Sequence, residues 1–301
     1  MLYISDKIIH LHFRYLFVAM KRFFVLIFVL GIGFASMAQK IEAGLMGGAM
    51  FYVGDLTEKA TSSPKHLAGG MFLRINMNPW ISLKGNVLIG GISAADSTST
   101  KQFSLNRNLS FKSKISEFAA EVEVNLTENY KSNGERKRCV PYVFAGINVF
   151  HFNPQANLYD SLSGKTITYE LQPLGTEGQG LTKYPNLKPY NLNGFALPLG
   201  VGVKLHFADK LTMGVEFGMR KTFTDYLDDV SGYYAENDLI SAQYGPTAAK
   251  LADRTNEVLP GVENPKATAR GNLSTQDWYG FGGILISYTF IKQSKYKCNQ
   301  F

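Results

Sequence analysis

The 301-residue sequence is poor in cysteine (two), tryptophan (two) and histidine (five), and only 18% of its residues are charged. Each scarcity excludes something. Two cysteines cannot build a disulfide scaffold, and neither has the neighbouring histidines of a metal site. The net charge of +7 is spread thinly, without the Lys/Arg stripe that nucleic-acid binding requires. There is no Gly-x-Ser-x-Gly nucleophile motif, and the acidic clusters lack EF-hand spacing. The longest apolar run, residues 23–35, has about 13 residues against the roughly 20 of a membrane-spanning helix.

What the sequence does have begins with that run. It follows the basic pair Lys21-Arg22 and precedes the small residues Ser36 and Ala38, the order of a secretory signal. Residues 1–38 are therefore expected to be a signal peptide cleaved before Gln39, with Met20 as the natural start. The remainder, residues 39–301, carries 27 basic and 23 acidic residues, a surplus of +4. No cysteine stands at the cleavage point for a lipid anchor.

The last apolar segment, residues 278–290, sets Ile284, Ile286, Tyr288 and Phe290 on one face and mostly small or polar residues on the other. An aromatic-ended closing strand of this kind is typical of an outer-membrane barrel. Seven further stretches alternate with period two: residues 40–53, 66–78, 80–92, 111–126, 139–152, 195–207 and 211–223. The fifth alternates poorly. Eight is an even number, and the connections alternate between short (78–79, 127–138, 208–210) and long (54–65, 93–110, 153–192, 225–276). The expectation is an all-β, eight-stranded antiparallel transmembrane barrel with short periplasmic turns, long extracellular loops and both termini in the periplasm.

Such a barrel has an interior that side chains fill. Alternation points Glu42, Arg74, Lys84, Glu117, Glu121, Glu123, Lys204, Glu216 and Arg220 inward, and their signs nearly balance, which implies a paired internal network. His66, His151 and His206 fall at the rims, and His151 with a loop serine is the sole hint of hydrolase chemistry. No catalytic residue, cofactor or metal is assigned. Asp225, Asp228 and Asp229 cluster beyond the seventh strand as candidates for calcium, with turn formation and pairing to Arg220 or Lys221 as the alternative. Cys139 and Cys298 both fall on the periplasmic side, either bridged or as independent thiols. Residues 238–253 suit a short helix broken near Gly245-Pro246.

Residues 142–156 (Tyr-Val-Phe-Ala-Gly-Ile-Asn-Val-Phe-His-Phe-Asn-Pro-Gln-Ala), 173–180 (Pro-Leu-Gly-Thr-Glu-Gly-Gln-Gly), 220–231 and 52–56 (Tyr-Val-Gly-Asp-Leu) resemble the PorG family. That family comprises outer-membrane components of the type IX secretion system of gliding and protease-secreting Gram-negative bacteria. The resemblance covers essentially all of residues 39–301. It implies a non-enzymatic assembly role, linking the periplasmic ring of a lipoprotein and its partner protein to the outer membrane, with no nucleic acid involved. Contacts to that ring are then expected from the periplasmic side, where Lys131, Arg136, Lys137, Arg138, Lys292, Lys295 and Lys297 make a basic surface. An OmpA-like barrel that tethers or adheres through its loops, or a lipid-modifying barrel enzyme, are the alternatives.

Overall fold

The computed structural model describes residues 40–57, 59–129, 136–160, 164–208 and 210–290. The expected signal peptide lies outside these residues, as do Lys131, Lys292, Lys295, Lys297 and Cys298.

Where the sequence alternates, the chain is extended. The strands are β1 (Lys40–Val53), β2 (His66–Asn76), β3 (Ile81–Ala95), β4 (Ser110–Asn125), β5 (Cys139–His151), β6 (Pro154–Asp160), β7 (Lys165–Glu170), β8 (Asn193–His206), β9 (Leu211–Thr222) and β10 (Trp278–Phe290). Eight of them run in the order β3-β2-β1-β10-β9-β8-β5-β4, and pairing of β3 with β4 closes the ring. The seam between the chain's first and last strands is continuous, from Ile41 opposite Phe290 to Val53 opposite Trp278. The eight-stranded antiparallel barrel expected from the sequence is the fold.

The two faces of this sheet invert the arrangement of a soluble protein. Leu45, Leu73, Phe118, Val149, Val201, Val215 and Ile286 point outward and are 42% or more exposed, while the nine inward charges are at most 2% exposed. Trp80, Phe207, Tyr288 and Phe290 ring the short-turn end, and Phe195 stacks on Phe223 at 6.0 Å near the other. An apolar band between aromatic girdles is the lipid-facing pattern of membrane barrels. Among the described residues no helix is long and apolar enough to cross a membrane, which says nothing of a barrel.

Two departures from simple alternation share one cause. β5 alternates poorly because its inward face is aromatic. Tyr142, Phe144 and Phe150 stand opposite Gly202, Gly200 and Gly194 of β8, and a Cβ on any of these glycines would overlap the facing ring. Phe51, on the outward face of β1, is nevertheless buried. It lies over Gly280, its partner in β10, and stacks on Phe217 at 5.8 Å. Aromatic cover over cross-strand glycine relieves the crowding of a tightly curved small barrel.

The long connections are folded, not slack. Residues 96–109 contain helix α1 (Gln102–Arg107), and 223–277 contain α2 (Asn237–Tyr244) and α3 (Pro246–Ala252). The expected break falls at Gly245, whose φ of 91° ends α2 before Pro246 starts α3. Residues 153–192, expected as a long loop, contain the hairpin of β6 and β7, joined to β4 at Lys112–Gln155. β7 is exposed at nearly every position, so no apolar face marked it.

Candidate functional site

The charges inside the barrel meet one another across the lumen. Arg74 reaches Glu42 at 3.0 Å and Glu123 at 2.8 Å. Lys84 meets Glu121 at 2.8 Å and Glu216 at 2.5 Å, Lys204 meets Glu123 at 2.6 Å, and Arg220 meets Glu117 at 3.0 Å. The Tyr142 hydroxyl donates to Glu216 and that of Tyr279 to Glu117, both at 2.7 Å. All nine residues expected inside are there, and paired. Met50, Leu88, Ile115, Phe150 and Phe281 fill the rest of the interior with apolar side chains.

Arg136 completes the network from an unexpected place. It belongs to the 126–138 connection, and the sequence reading put it on a partner-facing surface. Instead its Nη2 donates to Glu42 at 2.6 Å and to Thr289 at 2.8 Å, and its Nη1 to Thr212 at 2.8 Å. The side chain is 6% exposed. Five carboxylates thus face five cations, and the short-turn mouth carries a guanidinium plug. An unpaired charge at such depth would cost several kcal/mol, so a carboxylate there draws in the nearest cation. Of the other basic residues expected at this end, Lys137 is half-buried and Arg138 exposed, as is Cys139. His206 sits beside the plug, 2.7 Å from Thr212 and 2.8 Å from Asn129. His66 and His151 are remote from it and from each other's partners, bonding Ser93 and Asn193.

At the opposite end two arginines tie four connections together. Arg107 grips Asp96 at 2.7 Å and donates to the carbonyls of Asp55 and Arg270. Arg270 in turn reaches Glu177 at 3.1 Å and the carbonyls of Asp229 and Ala252. Glu177 also accepts from the N–H groups of Ser231 and Gly232, at 2.9 and 3.1 Å. Residues 54–65, 96–109, 152–192 and 223–277 are therefore one cap. Leu181, Ile240, Ala248, Ala249 and Ala252 give it a small core of its own.

The aspartates proposed for calcium serve this cap. Asp228 accepts from the Tyr52 hydroxyl at 2.6 Å and from the N–H of Val230. Asp229 accepts from Thr176 and Tyr190, at 2.5 and 2.7 Å, and lies 3.7 Å from Arg270. Among the described residues no three His, Cys, Asp or Glu side chains converge as a metal would need. Sequence reasoning missed Arg107, Arg270 and Asp277, whose contacts to Arg270, Glu177 and Tyr52 span 163, 93 and 225 residues and leave no local pattern.

Burial raises the acids of this cap. Asp225 is pushed up to about 7 and Asp229 to about 6. Asp228 and Asp277 both rise well above the usual carboxylate range, through burial first and then through neighbouring aspartates. The Tyr52 oxygen lies 2.6 Å from one and 2.7 Å from the other. A phenol donates a single proton, so the second short contact needs a proton carried by a carboxyl group.

In barrel architecture the chain is similar to several solved outer-membrane proteins. Neisserial surface protein A is 7% identical, with 84% of this chain covering 98% of that one at a TM-score of 0.38. Ail, the attachment invasion locus protein of Yersinia pestis, solved in complex with the heparin analogue sucrose octasulfate, is 9% identical, with 84% and 100% covered and a TM-score of 0.37. OprG of Pseudomonas aeruginosa is 10% identical, with 84% and 96% covered and a TM-score of 0.33. No curated protein matches the sequence. The family described as Domain of unknown function (DUF6089) matches residues 21–169 and 180–252.

Proposed function

The chain belongs to the DUF6089 family, and we propose that within the outer membrane it is a structural subunit of the type IX protein secretion system, linked also to gliding motility. The observation that carries this reading is the filled lumen. Ten paired charges, with aromatic and aliphatic side chains packed among and above them, fill the lumen, so the work falls to the two ends. The short-turn end faces the periplasm, where the ring lipoprotein and ring protein are its partners. Arg138 is exposed there and Lys137 partly so; the other basic residues expected to contact the ring, Lys131, Lys292, Lys295 and Lys297, lie outside the described residues. The PorG-like stretches support the reading, since residues 173–180 and 220–231 supply Glu177, Asp228 and Asp229 to the cap. No catalytic role is assigned to any residue.

A crosslinked pull-down of the tagged protein from outer membranes, run beside a secretion assay on the deletion strain, tests this. Recovery of the ring proteins, with cargo trapped in the deletion strain, is the expected result. Recovery of the barrel alone with normal secretion would replace the proposal by an independent tethering barrel, a reading favoured by the rigid cap with its exposed apolar residues.

A further inference from the structure

Some apolar residues of the cap stay exposed, and three of them converge. Leu187, Tyr233 and Leu273 are 42%, 53% and 60% exposed although they belong to connections and not to the apolar band of the strands. All three line one cleft of about 500 Å³, whose aromatic walls include Tyr184 and Tyr226. Exposed apolar residues that converge in this way mark binding sites more often than scattered ones do.

The cleft is also preformed. Glu177, beneath it, holds the N–H groups of Ser231 and Gly232 and is itself held by Arg270. Tyr226 stacks on Tyr190 with ring centroids 4.6 Å apart. Gly178, at a φ of 85°, lets Tyr184 and Ala235 close over the backbone, where a Cβ would overlap both. A ligand entering such a site has little ordering left to impose.

The rim supplies the sign of the charge. Lys183 and Lys266 line the cleft with side chains 52% and 62% exposed. Both reach the same carboxylate, Glu236, at 2.6 and 2.8 Å. Two ammonium groups share one carboxylate at the rim, an excess of one positive charge there, while Arg270 below faces both Glu177 and Asp229. The mouth is therefore cationic around an apolar well.

We propose that this cleft docks an acidic segment of a partner polypeptide, which inserts an aromatic or aliphatic side chain between the tyrosines and Leu273 while its carboxylates meet Lys183 and Lys266. This combination suits a polypeptide because it alternates charge and apolar bulk within a few residues. The site lies on the cap, so it is independent of the ring contacts proposed for the short-turn end.

The test is a phage-displayed library of random twelve-residue peptides panned against the full-length barrel in detergent micelles. The expected enrichment is in sequences with a Phe, Trp or Leu flanked by Asp or Glu. A selected peptide should bind the double variant K183E/K266E and the variant Leu273→Asp at least tenfold more weakly. Tyr159→Ala, an exposed change outside the cleft, should leave binding unchanged, and unaltered heat-modifiable gel migration should report that each variant is folded. Enrichment of basic or wholly polar sequences, no enrichment, or equal binding by the cleft variants would overturn the proposal. So would a dimer by light scattering that Leu273→Asp dissolves, or an acyl chain found in the cleft, since either names a different occupant.

Discussion

The guanidinium of Arg136 and the carboxylate of Glu42 meet at 2.6 Å, joining a connection to the first strand across the mouth of the barrel. Glu42 keeps Arg74 as a second partner, so replacing Arg136 leaves it weakened and not orphaned. Arg136→Ala should therefore cost about 2–3 kcal/mol, the scale of lost charge-assisted hydrogen bonds. Urea unfolding in micelles, followed by the heat-modifiable gel shift, measures it. Arg136→Lys should recover part of the loss, because an ammonium keeps the charge and gives up the fork.

Alkaline conditions should loosen the cap. Asp225 and Asp229 are held at about 7 and about 6, above an unfolded aspartate near 3.9. A folded pKa above the unfolded one gives stability that is complete below the unfolded value and disappears as pH rises through the folded one. Asp228 and Asp277 act in the same direction, with Asp55 and Asp225 reinforcing the rise and Arg107 opposing it. Amide hydrogen exchange over residues 224–235 should accelerate between pH 5 and 8.5. Asp277→Asn, which removes one carboxylate from the shared Tyr52 contact, should flatten that dependence. An exchange rate that rises only as base-catalysed chemistry demands would contradict the shared-proton arrangement.

Glycines in the strands should divide sharply. Nothing lies within 4 Å of a Cβ placed on Gly47, whereas one on Gly202 would enter the Tyr142 ring. Gly47→Ala should be tolerated or mildly stabilising. Gly202→Ala should cost about 1–3 kcal/mol by overpacking, read from the same urea transitions.

The cap should melt separately from the barrel. Ile240 is 1% exposed in a core of only a few residues. Ile240→Ala should remove about 2–5 kcal/mol, enough to open 237–252 to trypsin at Lys250 while the strands stay protected. Loss of the barrel's gel shift in the same variant would mean that cap and barrel fold as one unit.

The strands were legible because lipid on one side and charge on the other impose period two in its plainest form. The expected closing segment at residues 278–290 and the first at 40–53 match β10 and β1 to the residue. β7 was invisible because it borders neither lipid nor lumen and is six residues long, exposed at nearly every position. Arg136 was misplaced because turn residues are read as solvated, and nothing near it in sequence announces Glu42, 94 positions away. The cap arginines failed for the same reason. Lateral pattern reports which way a side chain points, but only tertiary closure reports whom it meets.

The seam of β1 against β10 also governs when this molecule comes into being. A ribosome must release Phe290 before Ile41 has its neighbour. Every shorter nascent chain presents two raw sheet edges and a half-lined row of charges. Biogenesis is consequently all or nothing, and a stop codon anywhere ahead of Trp278 yields material for proteases and not a smaller barrel.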